Sequence, residues 1–229
     1  MSTKITWLGH GTFQLETAET TVLIDPFLTG NPAASTTADK LSPQFIVVTH
    51  GHGDHIGDTV SIAKRTGALV ISNYEITEWL KGQGVANVHA MNTGGAFQFP
   101  FGKLKLTIAH HTSGLPDGSY GGNPNGLLFT FADGQKWYHA GDTSLFLDMQ
   151  LIGEEGLDVA TLPVGDNYTM GPEEALRAVS FLKPKVVIPE HYNTWDVIAV
   201  DVAAWSGRVS GETGSKPVIL LPGESYVLA

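Results

Sequence analysis

Thr49-His50-Gly51-His52-Gly53-Asp54-His55 follows directly on the apolar run Phe45-Ile46-Val47-Val48 and packs three histidines and a carboxylate into six residues. A neutral imidazole is the commonest protein ligand for a transition metal, and a strand ending in such a cluster delivers several ligands at one sheet edge. A polar surface loop has no structural use for ligand-type residues at this density. The stretch reads as the first half of a metal site.

Working outward, three other places repeat the pattern of a β-like run followed at once by His, Asp or Glu. They are Ile108 before His110-His111, Tyr138 before His139-Ala140-Gly141-Asp142, and Ile188 before Glu190-His191. Ligands at the ends of different strands can converge at one edge of a sheet, where α/β folds keep their sites. Short strands are expected near 4–8, 12–16 and 21–25, buried strands at 45–48 and 68–71, and further strands near 88–90, 97–99 and 104–109. Asp133-Gly134 predicts a hairpin between 127–131 and 135–138. A mostly helical connection should lead to a strand at 159–163. Helices are expected at 58–66, after a Ser72 or Asn73 cap, from Pro172 to Leu182, and at 196–206. The runs 218–221 and 226–228 are expected to close the fold as a hairpin. The stretch 112–125, rich in Gly, Pro and Asn, should be a mobile loop beside His110 and His111. Strands and helices interleave with no linker or repeat, so one α/β domain over 1–229 is the economical reading.

Composition narrows the function. The 229 residues are 42% hydrophobic and 16% charged, which suits a globular chain with a large core. The formal net charge of −10 argues against a nucleic-acid partner gripped by a basic surface. There is no cysteine, so thiolate ligands and disulfides are excluded, and His, Asp and Glu are left for metal chemistry. The first residues have no long apolar core and no run approaches membrane-spanning length, so a cytoplasmic protein without a membrane partner is expected.

His50-x-His52-x-Asp54-His55, followed in order by Asp142 and His191, resembles the signature of the metallo-β-lactamase superfamily. Within it, the chain is similar to small metal-dependent hydrolases related to the ascorbate-6-phosphate lactonase group. Supporting segments are Gly9-His10-Gly11-Thr12, Leu23-Ile24-Asp25-Pro26-Phe27, His139-Ala140-Gly141-Asp142-Thr143, Gly165-Asp166-Asn167 and His191-Tyr192-Asn193-Thr194. The resemblance implies a four-layer αββα sandwich with a two-metal site at its edge. It assigns His50, His52 and a third histidine to one ion, Asp54, His55 and His191 to the other, and Asp142 to a bridge. The third histidine is His110 or His111. Adjacent strand residues point oppositely, so only one of them easily reaches the metal, and His111 is preferred because small hydroxyl residues follow it.

Two such ions can share a water and make a hydroxide nucleophile at neutral pH, with Asp54 also accepting a proton as the catalytic residue. Zinc is the first choice, and manganese, iron or nickel fit the same ligands. The expected enzyme is a binuclear hydrolase acting on a small-molecule ester, lactone or phosphoester; a homo-oligomer is compatible with the sequence. The alternatives are a non-catalytic metal-binding or sensing protein and a phosphodiesterase or nuclease of the same fold. Asp142 and His191 are 49 residues apart (191 − 142), which leaves no room for the inserted domain of the RNA-cleaving branch. Asp25 is a candidate to orient a ligand imidazole, and His10 to line the site or donate a proton, each weighed against a purely structural role in its turn. His139 is expected to be structural, and Asn167, Tyr168 and Asn193 are candidate substrate contacts that loop polarity explains equally well.

Overall fold

The computed structural model describes residues 3–228. Apolar runs near the N-terminus form the antiparallel strands β1 (Lys4–Gly9), β2 (Thr12–Glu16) and β3 (Thr21–Ile24). The strands β4 (Phe45–Val47), β5 (Leu69–Asn73) and β6 (Val88–Met91) then join in parallel, with α1 (Gly53–Ile56), α2 (Thr59–Thr66) and α3 (Tyr74–Gly82) between them. The second half repeats this plan. β7 (Ala96–Phe99), β8 (Gly102–Ile108), β9 (Asn125–Thr130) and β10 (Lys136–His139) are antiparallel. β11 (Val159–Pro163), β12 (Val186–Glu190) and β13 (Lys216–Pro217) follow in parallel, with α4 (Met149–Gly153), α5 (Pro172–Leu182) and α6 (Val202–Glu212) among them. β14 (Ser225–Val227) returns to pair with β1. The result is two seven-stranded mixed sheets, ordered β14-β1-β2-β3-β4-β5-β6 and β13-β12-β11-β10-β9-β8-β7.

The layers follow from side-chain alternation. On β4, Val47 packs into the core between the sheets with Phe13, Phe129 and Trp137, while Ile46 packs outward with Ile62 of α2 and Ile76 and Leu80 of α3. A strand buried on both faces carries a continuous apolar run for this reason. On the far side, α5 buries Ala175, Leu176, Ala178, Val179 and Leu182. Each fully buried large apolar side chain contributes roughly 1.5–3 kcal/mol. The order is helix, sheet, sheet, helix: the expected αββα sandwich.

Local signals place most elements. Asn73 caps α3, its Oδ1 accepting from the Ile76 N–H at 2.9 Å, and Pro172 opens α5 in its first turn. Gly53–Ile56, inside the metal-type cluster, forms the helical turn α1. Three expectations are corrected. The connection to β11 holds only the short α4. The helix expected at 196–206 begins at Val202, where Asp201 caps it by accepting from the Ala204 N–H, and Asp196–Ile198 is a single 3-10 turn. The C-terminal hairpin does not form, since β13 pairs with β12 in one sheet and β14 with β1 in the other. Gly223, at φ +97°, turns the chain between sheets, and its N–H donates to the Trp7 carbonyl at 2.7 Å. The open edge of β1 outcompetes a short local hairpin.

The loop after β8 is tied at several points. Ser113 Oγ accepts from the Gly51 N–H and donates to the Gly121 carbonyl, Asn73 Nδ2 donates to the Gly121 and Asn123 carbonyls, and Trp79 Nε1–H donates to Asp117.

Candidate metal centre

The strand ends expected to carry ligands meet at one edge of the sandwich. His50 and His52 follow β4, Asp54 and His55 lie on α1, His111 follows β8, Asp142 follows β10 and His191 follows β12. Ring nitrogens of His50, His52 and His111 lie within 4.8 Å of one another. A second group within the same limit is His10, Asp54, His55 and His191. Asp142 stands between them, with carboxylate oxygens 3.5 Å from His111 Nε2 and 3.9 Å from His50 Nε2 on one side. On the other side, they lie 3.3 Å from His55 Nε2 and 3.2 Å from His191 Nε2. His110 does not join either group: its ring is exposed and sits 5.1 Å from that of Phe146.

The hydrogen bonds around the rings determine which nitrogens face inward. The Thr49 hydroxyl gives its one hydrogen to Asp25 Oδ2 at 2.5 Å, so His50 Nδ1–H donates to Thr49 Oγ at 2.9 Å and the His50 Nε2 lone pair faces the centre. His55 Nδ1–H donates to Asp25 Oδ2 at 2.8 Å, and its Nε2, buried without a hydrogen-bond partner, faces Asp142 Oδ1 at 3.3 Å. His52 Nε2 lies 3.2 Å from the Thr112 hydroxyl, with Nδ1 turned to His50 Nε2 at 3.1 Å and His111 Nε2 at 3.3 Å. His191 Nε2 is also buried without a hydrogen-bond partner. Converging lone pairs repel one another unless a cation lies between them, so the donor set fits metal ions.

The electrostatics agree. Burial opposes charge on His55, but Asp142 and Asp25 on either side hold its pKa well above the ordinary range. The same field favours a metal cation. Burial also opposes ionisation of Asp142, yet His191 and His55 hold its carboxyl well below the usual range. Burial, with His55 beside it, keeps His50 neutral. His10 is pushed down to about 4, chiefly by burial. As a neutral ring it accepts from the Thr194 hydroxyl at Nδ1, 2.8 Å away, and donates Nε2–H to Asp54 Oδ2 at 3.2 Å.

Backbone geometry helps the approach. His10, Asp25 and His191 all adopt positive φ, at 57°, 44° and 54°. Non-glycine residues held there cost energy and cluster at functional sites. A side chain at Gly11 would come within 2.9 Å of the His55 ring, so only glycine lets this turn lie against that ring.

Three neighbours were not legible as site residues. Thr49 directly precedes the cluster, but nothing in its type marks it as the link between Asp25 and His50. Thr194 lies in a segment that carries the family resemblance, though without a role. Trp195, whose ring centroid is 4.8 Å from that of His10, has no sequence signal at all. His139 is buried, hydrogen-bonded to Thr161 Oγ at 2.8 Å and in neither candidate group. Asn167, Tyr168 and Asn193 are exposed.

A family model described as a β-lactamase superfamily domain matches residues 4–191. The chain is 48% identical over 229 residues to the UPF0173 metal-dependent hydrolase of Symbiobacterium thermophilum, covering 98% of this chain and 100% of that protein. It is 49% identical over 230 residues to the corresponding protein of Geobacillus sp. strain WCH70, with the same coverage. Among solved structures, the metallo hydrolase Igni18 of Ignicoccus hospitalis superposes with a TM-score of 0.90 at 37% identity, covering 100% of this chain and 99% of the other. Sequence, fold and the histidine-carboxylate constellation agree, and the chain belongs to the UPF0173 metal-dependent hydrolase family of the β-lactamase superfamily.

Proposed function

We propose that this chain is one hydrolase domain that holds two divalent metal ions and activates water against a small ester, lactone or phosphoester. The observation that carries the reading is how the rings are turned. Asp25 and the hydroxyls of Thr49 and Thr112 occupy the outward nitrogens of His55, His50 and His52, and the other nitrogens turn on a common space beside Asp142.

In this reading His50, His52 and His111 hold one ion, Asp54, His55 and His191 hold the other, and Asp142 is shared. When bound, such ions lower the pKa of water from 15.7 toward ~7 and polarise a carbonyl or phosphoryl oxygen. A nitrogen-and-carboxylate donor set suits zinc first, with manganese, iron or nickel compatible. Asp142 places negative charge between two positive positions. Asp54 accepts the proton released in the attack. Burial works against its ionisation, but the His10 N–H and nearby His55 hold its carboxyl below the usual range, so a proton taken there moves on to the leaving group. His10 is a positioning residue that orients Asp54.

The net charge of −10 supports a small-molecule substrate over a nucleic acid, and a cytoplasmic setting is part of the proposal. Among the described residues no helix is long and apolar enough to cross a membrane.

Zinc titration with elemental analysis should count two ions per chain. His52→Ala and His111→Ala should each lose at least about 100-fold of turnover on a panel of lactones, carboxylic esters and phosphodiesters, whereas His110→Ala should keep the metal stoichiometry. One ion per chain, or equal turnover by wild type and His52→Ala, would sink the two-ion reading.

A further inference from the structure

The chain segments that converge on the candidate metal centre carry no lysine or arginine. They are residues 9–12, 25–37, 49–57, 109–125, 140–148, 164–171 and 191–201. They are joined at the site by the ring contacts of His10 with Phe27 and Trp195, by hydrogen bonds from Gly51 to Ser113 and between Thr112 and His52, and by links from His110 to Thr143 and from Met170 to Thr143. Cations are engaged elsewhere: Lys105 and Lys136 with Glu155, Lys185 with Asp158, and Arg208 with Glu173 and Glu212. The converging segments instead expose Asp117, Asp166 and Asp196. A phosphate or carboxylate carried away from the scissile bond would meet like charge here and no ion-pair partner. The charge of bound metal ions serves the reacting group itself.

One side of this rim is aromatic. The Trp195 ring meets His10 edge-on at 4.8 Å and lies 6.1 Å from Phe27. Trp195 remains 37% exposed, an apolar wall directly beside the His10–Asp54 pair. Ligand sites are commonly built this way, with apolar and aromatic walls beside a few convergent polar groups.

We infer that the substrate is uncharged away from its scissile bond and presents an aromatic or flat apolar group to Trp195 and Phe27. This rests on the hydrolase reading and narrows it to esters and lactones that bear no phosphate or carboxylate tag. The preference is set by the chain itself, through an anion-repelling rim and an indole wall.

The test uses zinc-loaded protein and three esters that all release methanol: methyl phenylacetate, its para-carboxylate derivative and methyl acetate. Methyl phenylacetate should give kcat/KM at least tenfold above either of the others, and Trp195→Ala should reduce its advantage over methyl acetate by roughly tenfold through KM. Phe27→Leu serves as a second, milder variant and should shift the same ratio in the same direction. In parallel, calorimetric titration with phenylacetamide and its para-carboxylate measures binding without turnover. The neutral amide should bind more tightly, and Trp195→Ala should weaken it roughly tenfold. Equal handling of neutral and anionic ligands overturns the charge argument. An unchanged aryl preference and unchanged amide affinity in Trp195→Ala overturn the aromatic wall. Absence of turnover on all three esters counts against the hydrolase reading, while the amide titration still decides this inference.

Discussion

Asp25 and Glu190 are both fully buried carboxylates at strand ends, one in each sheet, and their surroundings are opposite. Asp25, directly after β3, accepts from the Thr49 N–H at 2.8 Å, the Thr49 hydroxyl at 2.5 Å and His55 Nδ1–H at 2.8 Å. Glu190, the last residue of β12, has no hydrogen-bond donor on either oxygen. His139 Nδ1 lies 3.3 Å from Oε1 but is hydrogen-bonded to Thr161. Burial, reinforced by the negative charge of Asp142, holds the Glu190 carboxyl well above its usual range, and burial pushes His139 down to about 4. The Glu190–His139 contact is therefore a neutral pair, despite being within ion-pair distance. Depth alone does not decide what a buried carboxylate does; the donors around it do.

The largest expected effect comes from breaking the satisfied side. Asp25→Ala leaves the Thr49 N–H, the Thr49 hydroxyl and the His55 N–H without their acceptor. It should cost about 3–5 kcal/mol in urea unfolding and reduce zinc affinity 10–100-fold by calorimetry. Unchanged zinc affinity would mean that Asp25 does not orient the ligands. Thr49→Val keeps the shape and removes one hydroxyl. It should cost about 1–3 kcal/mol and lower zinc affinity less than Asp25→Ala does, because only His50 loses its outward partner.

The unsatisfied side should respond with the opposite sign. Below about pH 4 the Glu190 side chain is protonated in both the folded and unfolded chains. As pH rises, the unfolded chain ionises first, so the folded state loses stability until the raised folded pKa is passed. Glu190→Gln removes that loss. Its melting temperature should exceed that of wild type by about 2–4 °C or more at pH 8, with a smaller gap at pH 5. A gap independent of pH would show that Glu190 is ionised and partnered in the fold. His139 contributes in the other direction: with its folded pKa below the unfolded value, it lowers stability as pH falls from about 6.5 toward 4. His139→Gln should flatten that acid limb, the smallest of these effects, since His10 and other buried histidines share it.

Much of this protein was written locally. The apolar run before His50 reads as a strand buried on both faces, and it is one. Asp133-Gly134 turns a hairpin, with β9 and β10 antiparallel on either side. Pro172 opens a helix that ends where Lys183 takes a left-handed conformation. The histidines and aspartates that meet at the candidate centre were visible because each follows a strand, and strand ends share an edge. Alternation along the chain leaves one of His110 and His111 to face the metal, the hydroxyl residues after His111 favour it, and His111 is the one grouped with His50 and His52.

The runs near the C-terminus show that a local pattern identifies a strand but not its partner. Two short strands close in sequence fit a hairpin as well as two open edges, and the free backbone groups of β1 and β12 decided between them. The site has the same division. Residue types and spacing determined which groups could bind metal, since imidazoles and carboxylates carry that chemistry wherever they stand. Only the tertiary structure decided which nitrogen each ring turns inward, because Thr49, Asp25 and Thr112 reach the outer nitrogens from other segments. It also decided that His10, Asp25 and His191 sit at positive φ. Histidine and aspartate tolerate that conformation, but packing against the rest of the fold is needed to hold them there.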